Sequence, residues 1–180
     1  MRKFALFVVI SLCAACTVHN KPAANIQFSR MESIKESYKI GQIEGVAKTY
    51  KLYFTSDIDI LNLFKSGEGL VTKRLICALE DDTAFSVKHT IERTAEGGIS
   101  SNGSKLHDAN EFGYVSDIVF SETFDEGTSD AYIDSAKLNN LLSRRKKIPC
   151  KVVMTIYLTN PYYSNTMYVP VADILREVNR

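Results

Sequence analysis

Little in this chain advertises a chemistry. Its 180 residues include three histidines and four cysteines, with no Gly-rich phosphate loop, no His-Glu-x-x-His pattern and no clustered His/Cys/Asp set. Nucleotide-cradling and zinc-hydrolase readings therefore have no motif to stand on, and no resident cofactor or metal is expected. A Gly-x-Ser-x-Gly elbow is missing as well, and a Ser-His-Asp triad is recognised by spatial roles that proximity along the chain does not supply. There is no surplus of positive charge, since 22 Lys and Arg stand against 21 Asp and Glu. Nucleic acid is bound through such a surplus, so DNA and RNA are not expected partners. Repeats, heptads and low-complexity tracts are absent. Past the first sixteen residues, the longest apolar run is Val152 to Leu158, far short of a membrane span.

What is present begins at residue 1. Met1-Arg2-Lys3 supplies two cations, Phe4 to Leu12 a short apolar stretch, and Cys13-Ala14-Ala15-Cys16 a patch of small residues. These are the three parts of an export signal, with an apolar segment too short to cross a bilayer as a stable helix. Its end resembles the lipobox of bacterial lipoproteins, in which small residues precede an obligatory cysteine. Cys13 stands where that family usually has Leu, with Leu12 one place further back. The resemblance, confined to this leader, implies that residues 1–15 are removed and that Cys16 is acylated and becomes the N-terminus. It also implies a place in the bacterial cell envelope, with Thr17 in place of Asp after the cysteine pointing to the outer membrane. The alternative is ordinary cleavage after Ala15 and a soluble product.

Removal of residues 1–15 takes away Arg2 and Lys3, leaving 20 cationic against 21 anionic side chains and a formal charge of −1. Of the four cysteines, Cys13 leaves and Cys16 takes the lipid, so Cys77 and Cys150 remain as a pair. An oxidising envelope compartment allows them to join, closing a loop of about seventy residues that contributes roughly 4 kcal/mol in the chain-entropy model. The rival reading is two buried free thiols.

Residues 16–24 read as a polar, Pro22-containing tether and residues 25–180 as one globular domain. Apolar residues at Ile26, Phe28, Met31, Ile34 and Tyr38 predict a helix over 29–40, and Ser56 to Phe64 predicts a second, short one. Strands are expected over 46–54, 70–79, 84–94, 112–124, 151–158 and 166–171, the run 151–158 being central and Pro170 marking a strand end. Ala95 to Glu111, with three glycines and three serines, reads as a long loop. Helices are expected over 133–143 and 172–178. The fold expected is α+β: a mainly antiparallel sheet of about six strands with two to four helices packed on it, and one parallel crossover over 46–79.

Candidate site residues are few, and each has a structural alternative. His89 lies in the expected strand 84–94 as a lone histidine of an apolar row, and reads first as a hydrogen-bonded structural residue. Ser104, His107 and Asp108 invite a hydrolase reading that nothing in the sequence fixes in space. Asp57-x-Asp59 suits a helix N-terminus better than a metal. Arg144 to Lys147 offsets a helix C-terminus, with anionic headgroups as the rival partner. Tyr162 and Tyr163 are candidate partner contacts if exposed, and otherwise pack over the sheet edge. The expected function is a non-catalytic binding or assembly module of the envelope, with the bilayer and another envelope protein as partners. The alternatives are an enzyme built from distant residues, with His89 and His107 as candidates, and an inhibitor or immunity-type module.

Overall fold

The computed structural model of the protein describes residues 21–34, 48–64, 70–105, 111–124, 128–157 and 160–180. Nine strands and two helices lie within them: β1 (Ile26–Ser33), β2 (Tyr50–Ser56), β3 (Leu70–Ala78), β4 (Arg93–Lys105), β5 (Phe112–Phe124), β6 (Ser129–Tyr132), α1 (Ser135–Leu142), β7 (Lys147–Ile156), β8 (Tyr162–Tyr163), β9 (Met167–Pro170) and α2 (Val171–Val178). The strands form one sheet in the order β1-β2-β5-β4-β3-β7-β8, with β6 on β5 and β9 on β7. The sheet-rich α+β expectation holds in its coarse form, and the pairings among the described residues are all antiparallel.

Alternation sets the two faces of this sheet, because neighbouring side chains on a strand point opposite ways. On β2, Tyr50, Leu52, Phe54 and Ser56 are buried while Lys51, Tyr53 and Thr55 are half-buried. The inner face continues through Tyr114 and Ile118 of β5, Leu75 and Cys77 of β3, and Cys150, Val152 and Met154 of β7. Leu138 and Leu142 of α1 and Ile174 and Val178 of α2 join the same core. Fully burying a side chain such as Leu52 or Phe54 contributes about 1.5–3 kcal/mol. The outer face carries Lys51, Arg74, Glu96, Asp117 and Lys151, which register places opposite the inward-pointing set.

Several expectations are corrected. The helix over 29–40 is, where described, strand β1. A bulge between Phe28 and Arg30 inserts one extra residue, so the inward residues Ile26, Phe28 and Met31 fall at spacings of two and three that imitate helical spacing. The helix after Ser56 is a single turn: Asp59 accepts from the Asn62 amide, and Leu63 donates to the Ile60 carbonyl. No crossover links β2 to β3, which lie apart with β5 and β4 between them. The strand expected over 84–94 is an irregular connection up to Glu92, where β4 takes over, because Asp82 and Ser86 side chains capture the amides of Ala84 and Lys88 and compete with ladder pairing. The loop over 95–111 is instead strand β4 as far as Lys105. Gly97 is required there for close approach, since a Cβ would sit 1.9 Å from the Asp117 carbonyl oxygen. Among the described residues Gly103 alone has a left-handed φ, 72°, at the irregularity between Ser101 and Lys105.

Candidate functional site

The irregular connection between β3 and β4 folds back over the outer face of the sheet. Its base is closed by the Leu79 amide donating to the Arg93 carbonyl at 3.0 Å and by Arg93 bridging Glu80 and Glu122. Arg145 reaches Asp81 at 2.7 Å. The middle is pinned by the Val87 amide, which donates to the Tyr163 hydroxyl at 3.2 Å, and by the Lys151 ammonium 5.9 Å from the Phe85 ring. Between this connection and the sheet runs a crevice of about 300 Å³.

The floor of the crevice is Ile76 and Val153 with the Arg74–Glu96 ion pair, 3.1 Å, and the roof is Phe85, Val87 and His89. One end is closed by Asp130, which accepts from the Thr123 hydroxyl at 2.7 Å. The lining mixes apolar bodies with paired charges, and Val87 is 51% exposed although apolar. His89 Nε2 lies 2.5 Å from Asp82 Oδ2, and this bond holds the Asp82 carboxyl below its ordinary range, helped by the Ala84 amide. One ring nitrogen is thereby committed to Asp82. His89 is thus exposed in a connection rather than set in an apolar strand row.

Other candidates fall elsewhere. Cys77 and Cys150 are bonded to each other, directly opposite in the β3–β7 register and fully buried. Tyr162 is buried, so it is withdrawn as a partner contact: its hydroxyl accepts from the Ala24 amide at 2.7 Å and donates to the Pro22 carbonyl at 3.1 Å. Burial pushes its phenol pKa up. Tyr163 is half-buried and holds the crevice roof. Both follow the packing alternative. Asp57 takes two hydrogen bonds from Asn25, and Asp59 caps Asn62 and accepts from the Tyr114 hydroxyl. Burial first, then the Asp59 charge, pushes Tyr114 up to about 12. Among the described residues no three His, Cys, Asp or Glu gather as metal ligands. Cys16, His107 and Asp108 lie outside the described residues, and Ser104 is on β4.

The basic run divides. Arg145 pairs with Asp81, the Lys146 carbonyl accepts from the Val171 amide, and Lys147 lies 3.8 Å above the Tyr168 ring. The tether expected over 16–24 is also shortened, because Ala24 is fully buried and Pro22 is already held by Tyr162. No family model, no curated protein and no solved structure matches this chain. The crevice must therefore be read from its own residues. Sequence reasoning missed Arg74, Glu96, Phe85 and Val87. The signal was available only in part: Arg74 with Ile76, and Thr94 with Glu96, alternate with buried residues, but their union needs the β3–β4 register.

Proposed function

We propose that the protein is a lipid-anchored protein of the bacterial envelope, with Cys16 as its acylated N-terminus, and that it binds a partner protein at the crevice under the β3–β4 connection. The observation that carries the binding reading is the crevice itself. It offers half-exposed Val87 and Phe85 beside the Arg74–Glu96 pair on a sheet face that the described helices leave uncovered. Apolar anchors next to oriented charges are what a protein interface needs for affinity and register. Acylation contributes confinement: each buried methylene is worth about 0.8 kcal/mol, so two or more chains anchor stably where one does not. A domain held this way meets envelope partners at raised effective concentration.

Affinity capture from envelope extracts tests the reading. Wild type is expected to retain a partner that Val87→Asp with Phe85→Ala releases at least tenfold, and equal recovery by both proteins would remove the crevice as the contact surface. One observation favours a second reading, acid–base catalysis: the 2.5 Å His89–Asp82 pair borders the crevice. Under that reading His89→Ala abolishes turnover of a small ester or amide panel while leaving partner capture intact. Under the binding reading His89→Ala leaves any trace turnover unchanged.

A further inference from the structure

We propose that one end of the sheet, carrying residues 21–25, the β2–β3 connection over 57–64 and Tyr157, is the surface that lies against the lipid bilayer. The inference rests on Cys16 being the lipid anchor.

Register brings these segments together. Ser56 at the end of β2 is opposite both Ile26 at the start of β1 and Phe112 at the start of β5. Ile156, just before Tyr157, is opposite Leu70 where β3 begins. The chain enters the domain at this end and is locked on arrival. The Tyr162 hydroxyl holds Pro22 and Ala24, the Asn165 amide donates to the Ala24 carbonyl at 2.9 Å, and Asn25 exchanges hydrogen bonds with Asp57 through both side chain and backbone.

The remaining arm is short. Cys16 and Pro22 are six residue steps apart, with five residues between them, a span of about 20 Å at full extension and about 13 Å as a relaxed coil. Along β7, Lys147 lies seven residues from Met154, the partner of Tyr162, a rise of about 23 Å. Resting the Arg144–Lys147 end on the membrane would demand more than the fully stretched arm. The tethered end needs almost none of it.

The chemistry of that end suits the interfacial zone. Ile58, Leu61, Leu63 and Phe64 are half-buried, packed on the core yet open to solvent on one side, and Tyr157 is 67% exposed. Phe64 stacks edge-on to Tyr162, with the Lys21 ammonium 5.5 Å from its ring. Amphipathic aromatics with an adjacent cation are what a headgroup layer accommodates. The occupant is therefore a lipid surface met through its interfacial zone, and the basic run plays no part in it.

The test uses the full acylated protein reconstituted into phosphatidylcholine vesicles, with and without one-quarter phosphatidylglycerol, containing headgroup spin-labelled lipid as quencher. A fluorophore is attached through Tyr157→Cys or Asn62→Cys at the near end and Arg144→Cys at the far end; the buried Cys77–Cys150 pair does not compete for label. Quenching is expected to be several-fold stronger at the two near-end sites in both lipid mixtures. The difference is expected to collapse when twenty Gly/Ser residues are inserted between Val18 and His19. Equal quenching at both ends, or stronger quenching at Arg144→Cys, in protein whose Cys16 carries acyl chains overturns the orientation alone. Purified protein whose Cys16 bears no acyl chain overturns the anchor and the orientation with it.

Discussion

The Tyr162 hydroxyl joins two parts of the chain 140 residues apart, and its removal is informative because the aromatic ring would stay in place. In Tyr162→Phe the Ala24 amide remains buried with its acceptor gone, which costs about 1–3 kcal/mol. Urea denaturation should show that loss, and an unchanged midpoint would mean that the entry of the chain into the domain is not locked there. Glu122 is a second residue-scale case. Its side chain is 7% exposed and bonds both Lys137 and Arg93. The Lys137 hydrogen bond first, then Arg93, hold its carboxyl below the usual 4.5. A carboxyl whose pKa is depressed by folding adds stability above its unfolded value and loses it as the pH falls through the folded one. Wild type should therefore lose stability progressively below about pH 4.5, and Glu122→Gln should be less stable at pH 7 with a flatter acid limb. Parallel acid limbs for the two proteins would exclude this carboxylate as a source of the pH dependence.

At the scale of elements, β4 shows most clearly why glycine must be read by its neighbours. Gly97 faces the Asp117 carbonyl so closely that Gly97→Ala forces the β4–β5 pair apart, an overpacking that costs about 3 kcal/mol. A thermal or urea midpoint equal to wild type would show that the backbone gives way there at no cost. Three glycines and three serines make the same stretch look like a loop in the sequence, whereas the pairing of β4 with both β3 and β5 makes it a strand. Strands with unbroken alternation or continuous burial, β2, β5 and β7, were legible, as were α1 and α2. Where a bulge shifted the period, as between Phe28 and Arg30, alternation passed for a helix. The crevice was illegible for a related reason: its floor comes from β3, β4 and β7 and its roof from a connection that carries no pattern. Cys77 and Cys150 were legible as a pair because the expected export signal and lipidation would leave two cysteines, and register places them side by side. Replacing both with serine should cost about 4 kcal/mol, the loop-closure value for a separation of 73 residues. A loss below 1 kcal/mol would mean that β3 and β7 are held by their ladder and core contacts alone.

For the whole molecule, the described residues form one antiparallel sheet with α1 and α2 packed on its inner face and the β3–β4 connection lying over its outer face. The described residues contain no helix long and apolar enough to cross a membrane, and the attachment proposed through Cys16 does not call for one. Pro22 is held by the Tyr162 hydroxyl, the sheet begins at Ile26, and the crevice lies on the outer face along β3, β4 and β7. In the proposed orientation, a partner binding the crevice would approach from the side, parallel to the bilayer. The most direct measurement is the intact mass of protein purified from the envelope fraction of its native cells, before and after reduction and alkylation. The expected result is a chain beginning at Cys16, heavier than its sequence by its acyl chains, with Cys77 and Cys150 alkylated only after reduction. A chain that retains Met1, with Cys16, Cys77 and Cys150 all unmodified and alkylated at once, would contradict it.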